Sequence, residues 1–416
     1  MLKHETISMH NDSVFALQAR WVLPVTSPPI ENGIVEITAG KISAVHNKKD
    51  SHAKQLGNVA IIPGLVNAHT HLELSDVAQP LQPSTPFASW IRAVIHHRQE
   101  RTASTSVITN EGHQECTQTG TTLLGDIVSD KLTVAAYQPA GTKVIAFREL
   151  IGLLPVQAAA QLEQARSFLQ ENQPAANVWC GLSPHAPYSV HQHLVQQLSE
   201  LAEEQNVPVA MHLAETVEEL ELLTRGSGPL QQFLESMGIW KADLIPQRTR
   251  ILNYLQLLAT APRVLVVHGN YLDDEEITYL ANHSQFTTIY CPRTHAFFSH
   301  TAHPWLRLLQ QGAAVAIGTD SRASNPDLNL WAELIFLRQQ HPEVSPTLLL
   351  ELGTLAGARA VGMEHATGSL TVGKSADIAV VKLPEANVSD PYTILFSSQT
   401  SITATMFSGR WVGDVR

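Results

Sequence analysis

Eight short apolar runs recur along this chain of 416 residues, and several of them stop at a polar residue able to bind a cation or carry a proton. The runs cover 60–67, 121–128, 143–148, 177–183, 207–212, 263–268, 286–291 and 313–319, and amphipathic stretches separate them. Continuous apolar strands are what a parallel sheet buried on both faces needs, and strand, polar end, helix is the rhythm of βα units. Eight such units favour an α/β fold closed as a (β/α)8 TIM barrel over an open sheet. The polar residues at the strand ends then meet on one rim.

Both ends of the chain read differently. Residues 1–60 alternate short apolar segments with turns, as in Ile34-Val35-Glu36-Ile37 followed by Ala39-Gly40-Lys41, and residues 366–416 repeat the habit around Gly373 and Gly409. The expectation is a small β-sandwich domain built from 1–60 and 366–416, with a barrel over 61–365. Capping-box patterns at Ser189-Val-His-Gln192 and Thr216-Val-Glu-Glu219 predict the helices after the fourth and fifth strands. Segment 240–262 reads as a loop with a short helix over the barrel.

Composition excludes several classes. A formal charge of -11, with no dense Lys/Arg tract, argues against a nucleic-acid partner. The opening MLKHETISMHND lacks the apolar core of a signal peptide, and no stretch approaches the roughly 18 apolar residues of a membrane span. Cys116, Cys180 and Cys291 are too few and scattered for a disulfide framework. These features point to a cytoplasmic protein acting on a small molecule, with no membrane association; a homodimer is compatible with them.

The strand-end residues carry the chemistry. His69 and His71 are two apart, so an extended strand turns both inward while Thr70 faces out. His212 closes PVAM, His268 closes VLVV and Asp320 follows AVAIGT. Three imidazoles and a carboxylate suit a borderline divalent ion such as zinc. Glu215, three residues after His212, is placed to shuttle a proton without ligating. His268 is either a further ligand or a group that polarises water or substrate from outside the ligand set, and the latter is adopted here. Substrate contacts are expected from His185, held over the mouth by flanking prolines, from Arg148 as a clamp for an anionic or carbonyl group, and from Glu73 if the first strand runs on. For Arg148 a salt bridge with Glu149 is the competing reading, and for Glu73 a plain ion pair is. His295, His300 and His303 either line the mouth or are simply solvated. His96, His97, His191, His193 and His341 are read as surface or helix residues.

Six segments in order, PGLVNAHTHLELS, SPHAPYS, MHLAE, VVHGNYL, CPRTHAFF and GTDSRASNPDLNLW, resemble the metal-dependent amidohydrolase superfamily. The branch is that of S-adenosylhomocysteine, guanine and aminodeoxyfutalosine deaminases and the triazine hydrolases. The resemblance runs through nearly the whole chain, with GSLTVGKSADIAVV similar to the returning half of a split β-sandwich. It implies that His69, His71, His212 and Asp320 bind one zinc or iron, that Glu215, His268 and Asp320 are catalytic, and that His185 meets the substrate. Two-metal members use a carboxylated lysine after the fourth strand; residues 177–188 contain none, so one metal is expected. The implied reaction is deamination of a purine-like N-heterocycle, and HTHLELS is closer to the aminodeoxyfutalosine deaminases than to the guanine enzymes. A chlorohydrolase or amidase using the same water chemistry is the alternative, and a barrel kept only as a binding module is the alternative outside enzymes.

Overall fold

The computed structural model describes residues 14–129, 137, 142–172, 177–241, 244–246 and 248–412; the opening segment read above for a leader lies outside them except for its neighbour Val14 onward. Eight parallel strands follow one another in sequence order around a single sheet. They are β1 (Leu65–Thr70), β2 (Thr121–Val128), β3 (Lys143–Leu150), β4 (Val178–Pro184), β5 (Val209–Leu213), β6 (Val264–His268), β7 (Phe286–Tyr290) and β8 (Ala314–Ile317). A parallel bridge between Thr70 and Asp320 joins the last unit to the first, so the sheet closes as a (β/α)8 barrel. Alternate side chains fill its interior: Val66, Ala68, Leu123, Phe147, Leu265 and Val267 form one buried cluster. Their neighbours Val209, Met211, Val264, Val266 and Ile317 face the helices in another.

Six helices matter for the mouth: α1 (Phe87–Glu100), α2 (Thr105–Gln118), α3 (Pro155–Glu171), α4 (Gln192–Gln205), α5 (Val217–Arg225) and α6 (Pro229–Ser236). The boxed cap expected at Ser189 is not used. Helix α4 begins later, capped by His191 Nδ1, which accepts from the His193 amide at 3.2 Å. Ser189 is instead engaged by His185. Thr216 does cap α5, accepting from Glu219 N at 3.1 Å. The short helix Ile251–Leu258 lies beside α4 rather than over the barrel, since Ser199 of α4 donates to Leu258 O at 3.2 Å.

The termini form a separate pair of sheets. One orders Lys41–His46, Ile34–Thr38, Val14–Gln18 and Lys54–Gln55; the other orders Arg410–Val412, Ser401–Phe407, Ile378–Lys382, Val59–Pro63, Trp21–Val22 and Ile30–Glu31. Leu17, Val35 and Ile37 from the first meet Val22, Ile61, Ile378 and Met406 from the second in one core. Ala60, Ile62, Ala379 and Val381, on the opposite pleat, belong instead to the large cluster around the barrel.

The apolar run at 60–67 is therefore not one strand. Val59–Pro63 pairs antiparallel with Ile378–Lys382, and after Gly64 the chain enters β1 of the barrel. A Cβ at Gly64 would stand 2.2 Å from Thr122 Oγ1 and 2.8 Å from Thr122 Cβ, so the two sheets approach across hydrogen alone. Overpacking of this kind destabilises by about 1–3 kcal/mol, so Gly64→Ala should lower the thermal midpoint. Thr122→Gly should cost less in the Gly64→Ala background than alone; strictly additive losses in thermal unfolding would show that the two do not meet.

Candidate metal centre

The first strand reaches the centre through an irregularity. Register between β1 and β2 shifts between Asn67 and Thr70, where three steps on β1 match two on β2. Ala68 already faces inward, so plain alternation would turn His69 toward the helices; the extra residue re-aims it. Strand β1 ends at Thr70, and His71 follows at φ -125° and ψ 83°. Thr70 does not face outward to no purpose. Its Oγ1 donates to Asp320 O at 3.1 Å, while Asp320 N donates to His69 O at 3.1 Å. Asn67 completes the seam, giving Nδ2 to Thr319 Oγ1 at 2.7 Å and accepting from Thr319 N at 3.1 Å.

His212 needs no such device, because Ala210 faces inward and His212 shares its side. Its Nδ1 donates to the His185 carbonyl at 2.9 Å, which leaves Nε2 with a lone pair for the centre. For His268, alternation from Leu265 and Val267 points the wrong way; a left-handed φ of 69° turns it in. Asp320, at φ 57°, and Ala214, at φ 52°, are two more non-glycine residues in that region beside the site. Such backbone costs about 1–3 kcal/mol per residue and persists where neighbours over-determine it. His303 Nε2 holds the His268 carbonyl at 2.7 Å, and Glu219 holds the amides of Ala214 and Glu215 at 3.1 and 2.8 Å.

The donors converge. Asp320 Oδ1 lies 3.6 Å from both His69 Nε2 and His71 Nε2, and His71 Nε2 faces His212 Nε2 at 3.3 Å. His69, His71 and Asp320 form one donor group within 4.8 Å, and His69, His212 and His268 form another. His69 Nε2 is sealed from solvent and has no hydrogen-bond partner. A buried polar atom left in this state needs a partner, and a cation held among these donors would supply it. Burial, then His69 and His212, hold His71 well below the usual histidine pKa; burial and the same neighbours lower His268, and His212 is brought to about 3. These imidazoles are neutral at pH 7, the form that ligates. Burial, then Asp320 and Glu219, push Glu215 well above the usual carboxylate range, so it can carry a proton. Its Oε1 lies 3.5 Å from His268 Nε2. His268 thus stands both at ligand range and beside the proton carrier.

A cavity of about 300 Å³ opens over the centre. His71, His185, His212, Glu215, His268 and Asp320 line its floor. His185 Nδ1 lies 2.6 Å from Ser189 Oγ. Arg148 and Glu73, also expected at the substrate, are not among the lining residues. Arg148 lies on the opposite pleat from inward-facing Phe147 and bonds Gln164 of α3 at 3.4 Å; the next residue, Glu149, lines the cavity instead. The first strand does not run on to Glu73, which sits in the 3-10 turn Leu72–Leu74 and is ion-paired with Arg98. Arg98, which no strand-end pattern flags, lines the cavity. His295, His300 and His303 are outside its lining, and His300 Nδ1 is bonded to Tyr271 at 3.0 Å.

Comparison with known proteins places this geometry. The model of the amidohydrolase family matches residues 60–412. A 5-methylthioadenosine/S-adenosylhomocysteine deaminase of Carboxydothermus hydrogenoformans is 28% identical over 378 residues, covering 86% of this chain and 82% of that one. An aminodeoxyfutalosine deaminase of Nitratiruptor sp. is 30% identical over 353 residues, covering 80% and 82%. The crystal structure of an adenosine deaminase from Xanthomonas campestris with bound zinc superposes with a TM-score of 0.74 at 22% identity, covering 95% of this chain and 92% of that one.

Ser324 Oγ donates to Asp320 Oδ2 at 2.8 Å and fixes which oxygen faces the histidines. Loss of such an outer partner typically lowers metal affinity about 10–100-fold. Ser324→Ala should therefore give up a bound metal ion to a competing chelator at correspondingly lower chelator concentration, with the thermal midpoint of the metal-free protein little changed.

Proposed function

The chain belongs to the amidohydrolase family, hydrolases of carbon–nitrogen bonds other than peptide bonds, and from that premise we propose that it is an aminohydrolase releasing ammonia from an adenosine-type or related N-heterocycle. The named activities of its relatives support this reading. The single observation that carries it is the meeting of a buried Glu215, whose pKa burial holds high, and a histidine-rich donor set on the floor of one cavity.

His69, His71, His212 and Asp320 would hold the ion, and the unpartnered His69 Nε2 fits that role. We assign zinc, the ion bound in the Xanthomonas enzyme, with iron(II) as the alternative. Such an ion, when present, makes water acidic enough to attack at neutral pH. Asp320 Oδ1 accepts the proton that the attacking water gives up, while Ser324 holds the other oxygen. Glu215 delivers its own proton to the ring nitrogen beside the carbon under attack, which draws electron density from that carbon. His268, 3.5 Å from Glu215 Oε1, hydrogen-bonds the polar groups that gain charge as the carbon becomes tetrahedral. The proton on Asp320 then passes to the amino group, which departs as ammonia; as the carbonyl forms, the new hydroxyl returns its proton to Glu215, and the ring nitrogen keeps the proton that Glu215 first delivered. His185, hydrogen-bonded to Ser189, presents its ring to the heterocycle.

Among the described residues no helix is long and apolar enough to cross a membrane. With three unpaired buried cysteines as well, we place the enzyme in the cytoplasm.

Zinc-loaded protein screened against amino-purines, adenosine derivatives, pterins and triazines should release ammonia; chloride or carboxylate release in its place would move the assignment to the chlorohydrolase or amidase alternative. Glu215→Gln should keep stoichiometric metal and lose turnover by about a hundredfold or more, the usual scale for a positioned acid. Near-normal turnover in that variant would remove Glu215 from the reaction.

A further inference from the structure

The segment 291–303, just after β7, carries three histidines that the reaction as described leaves unused. The short helix Pro292–Phe297 ends there in a tight reversal. Ser299 takes a left-handed φ of 56°, its amide donates to Ala296 O at 3.0 Å, and the His300 amide donates to His295 O at 3.3 Å. This is the bonding of a Schellman cap, which sets the side chain just past the left-handed residue against one in the last helical turn, commonly as an apolar contact. Here both side chains are imidazoles. Their ring centroids lie 5.4 Å apart at 59°. The same 5.4 Å separates His71 from His212, and His212 from His268, in the donor set on the cavity floor.

The free nitrogens of the two rings share one state. Nε2 of His295 and Nε2 of His300 are both sealed from solvent and without a hydrogen-bond partner, although each residue as a whole is only half-buried. Two unpaired imidazole nitrogens at one turn cost free energy that a shared partner recovers. The other nitrogen of each ring is engaged. His300 Nδ1 lies 3.0 Å from Tyr271 Oη, and the Thr301 backbone acts as an acceptor toward the His295 ring. An Nδ1–H given to an outer acceptor leaves Nε2 a lone pair, the arrangement of metal-binding imidazoles and the one His212 shows with the His185 carbonyl. Burial lowers the pKa of His295 and, with His295 beside it, brings His300 to about 4, so both rings are neutral at pH 7. Water does not reach the two nitrogens, but an ion comes closer than water does: zinc sits about 2.0–2.1 Å from an imidazole nitrogen, against about 2.9 Å for a hydrogen-bonded partner. His303 is already spent, its Nε2 donating to the His268 carbonyl at 2.7 Å and its Nδ1 accepting from Trp305 N at 2.9 Å.

We propose that His295 and His300 form a second cation site, separate from the donor set, which takes a borderline divalent transition ion such as zinc or nickel through the two Nε2 atoms, with water completing the coordination from the exposed side of the rings. Magnesium and calcium, which want oxygen ligands, are excluded. An ion at this turn staples the segment that carries His303, and through it steadies the His268 carbonyl. Occupancy of the site is independent of the aminohydrolase reading.

The test titrates metal-free full chain with zinc in a calorimeter and counts the ions retained. Wild type should take up one equivalent tightly and a second more weakly, and magnesium should displace neither. His295→Phe and His300→Phe restore the apolar contact usual in such a cap; each should abolish the weaker equivalent, keep the tight one and leave the thermal midpoint of the metal-free protein unchanged or higher. Zinc beyond one equivalent should raise the thermal midpoint of the wild type and not of these variants. Tyr271→Phe, which removes only the outer partner of His300, should weaken the second equivalent about 10–100-fold. Zinc uptake unchanged by both histidine substitutions overturns the proposal, and any surplus ion then belongs to a surface pair such as His96 and Glu100. Should either substitution prevent folding, Tyr271→Phe decides, because an undiminished second equivalent in that variant overturns the site as well. Loss of the weaker equivalent in both variants together with no ammonia from any compound leaves this site standing while the aminohydrolase reading falls.

Discussion

The closure of the barrel between its first and last strands is the constraint on which the rest depends. Thr70 and Asp320 form the bridge there, and the same few residues supply His69, His71 and the carboxylate of the donor set. The hydrogen bonds that hold the seam are therefore also the ones that set the distance from Asp320 to the two imidazoles. Asn67 and Thr319 lock it from beneath with a reciprocal pair of bonds. Gly318 belongs to the same logic, because a Cβ there would stand 2.8 Å from the His69 carbonyl. A barrel that opened at this point would lose its centre before it lost its core, since the interior cluster is spread over all the strands.

Three of the ten left-handed non-glycine residues among the described residues lie around the donor set. Ala214, His268 and Asp320 adopt left-handed backbone at the ends of β5, β6 and β8, a region that costs an L residue energy. Each is held there by a partner outside the donor set. Glu219 takes two amides around Ala214, His303 takes the His268 carbonyl, and Thr70 takes the Asp320 carbonyl. Glu219 is buried, and burial raises its pKa to about 7 despite three amide bonds that lower it. Glu219, in the first turn of α5, thereby fixes the backbone of Glu215, with Asn270 Nδ2 donating to the Glu215 carbonyl at 2.9 Å from the other side.

How much of this was legible in the sequence follows from where regular geometry holds. Seven of the eight strands follow from apolar runs of strand length, and plain alternation suffices for the inward turn of His212. His69 and His268 were found by their position at strand ends, yet the reasons they face the centre, a register shift and a positive φ, leave no mark in residue type. The break at Gly64 was hidden because both sides of it are equally apolar: one strand is sandwiched between the terminal core and the barrel, the next lies wholly inside the barrel. Ser189 has the residue types of a capping box, but its hydroxyl lies 2.6 Å from His185 Nδ1, and the cap passed to His191.

The cavity walls show the same division at its sharpest. Phe147 packs into the barrel, so its neighbour Arg148 must face the helices and Glu149 the cavity; the parity was available in the alternation of Ile145 and Phe147, but a strand-end cation was the louder signal. Arg98 was available too. Phe87, Ile91, Val94 and Ile95 mark one stripe of α1, and Arg98 continues it one turn on, a cation on the face that otherwise lines the cavity with apolar groups. A charged residue on the apolar stripe of a helix needs a partner, and Glu73 supplies one. The cavity wall is thus written in helical periodicity, whereas the donor set is written in strand termini, and a reading confined to strand termini recovers the donors while missing the wall above them.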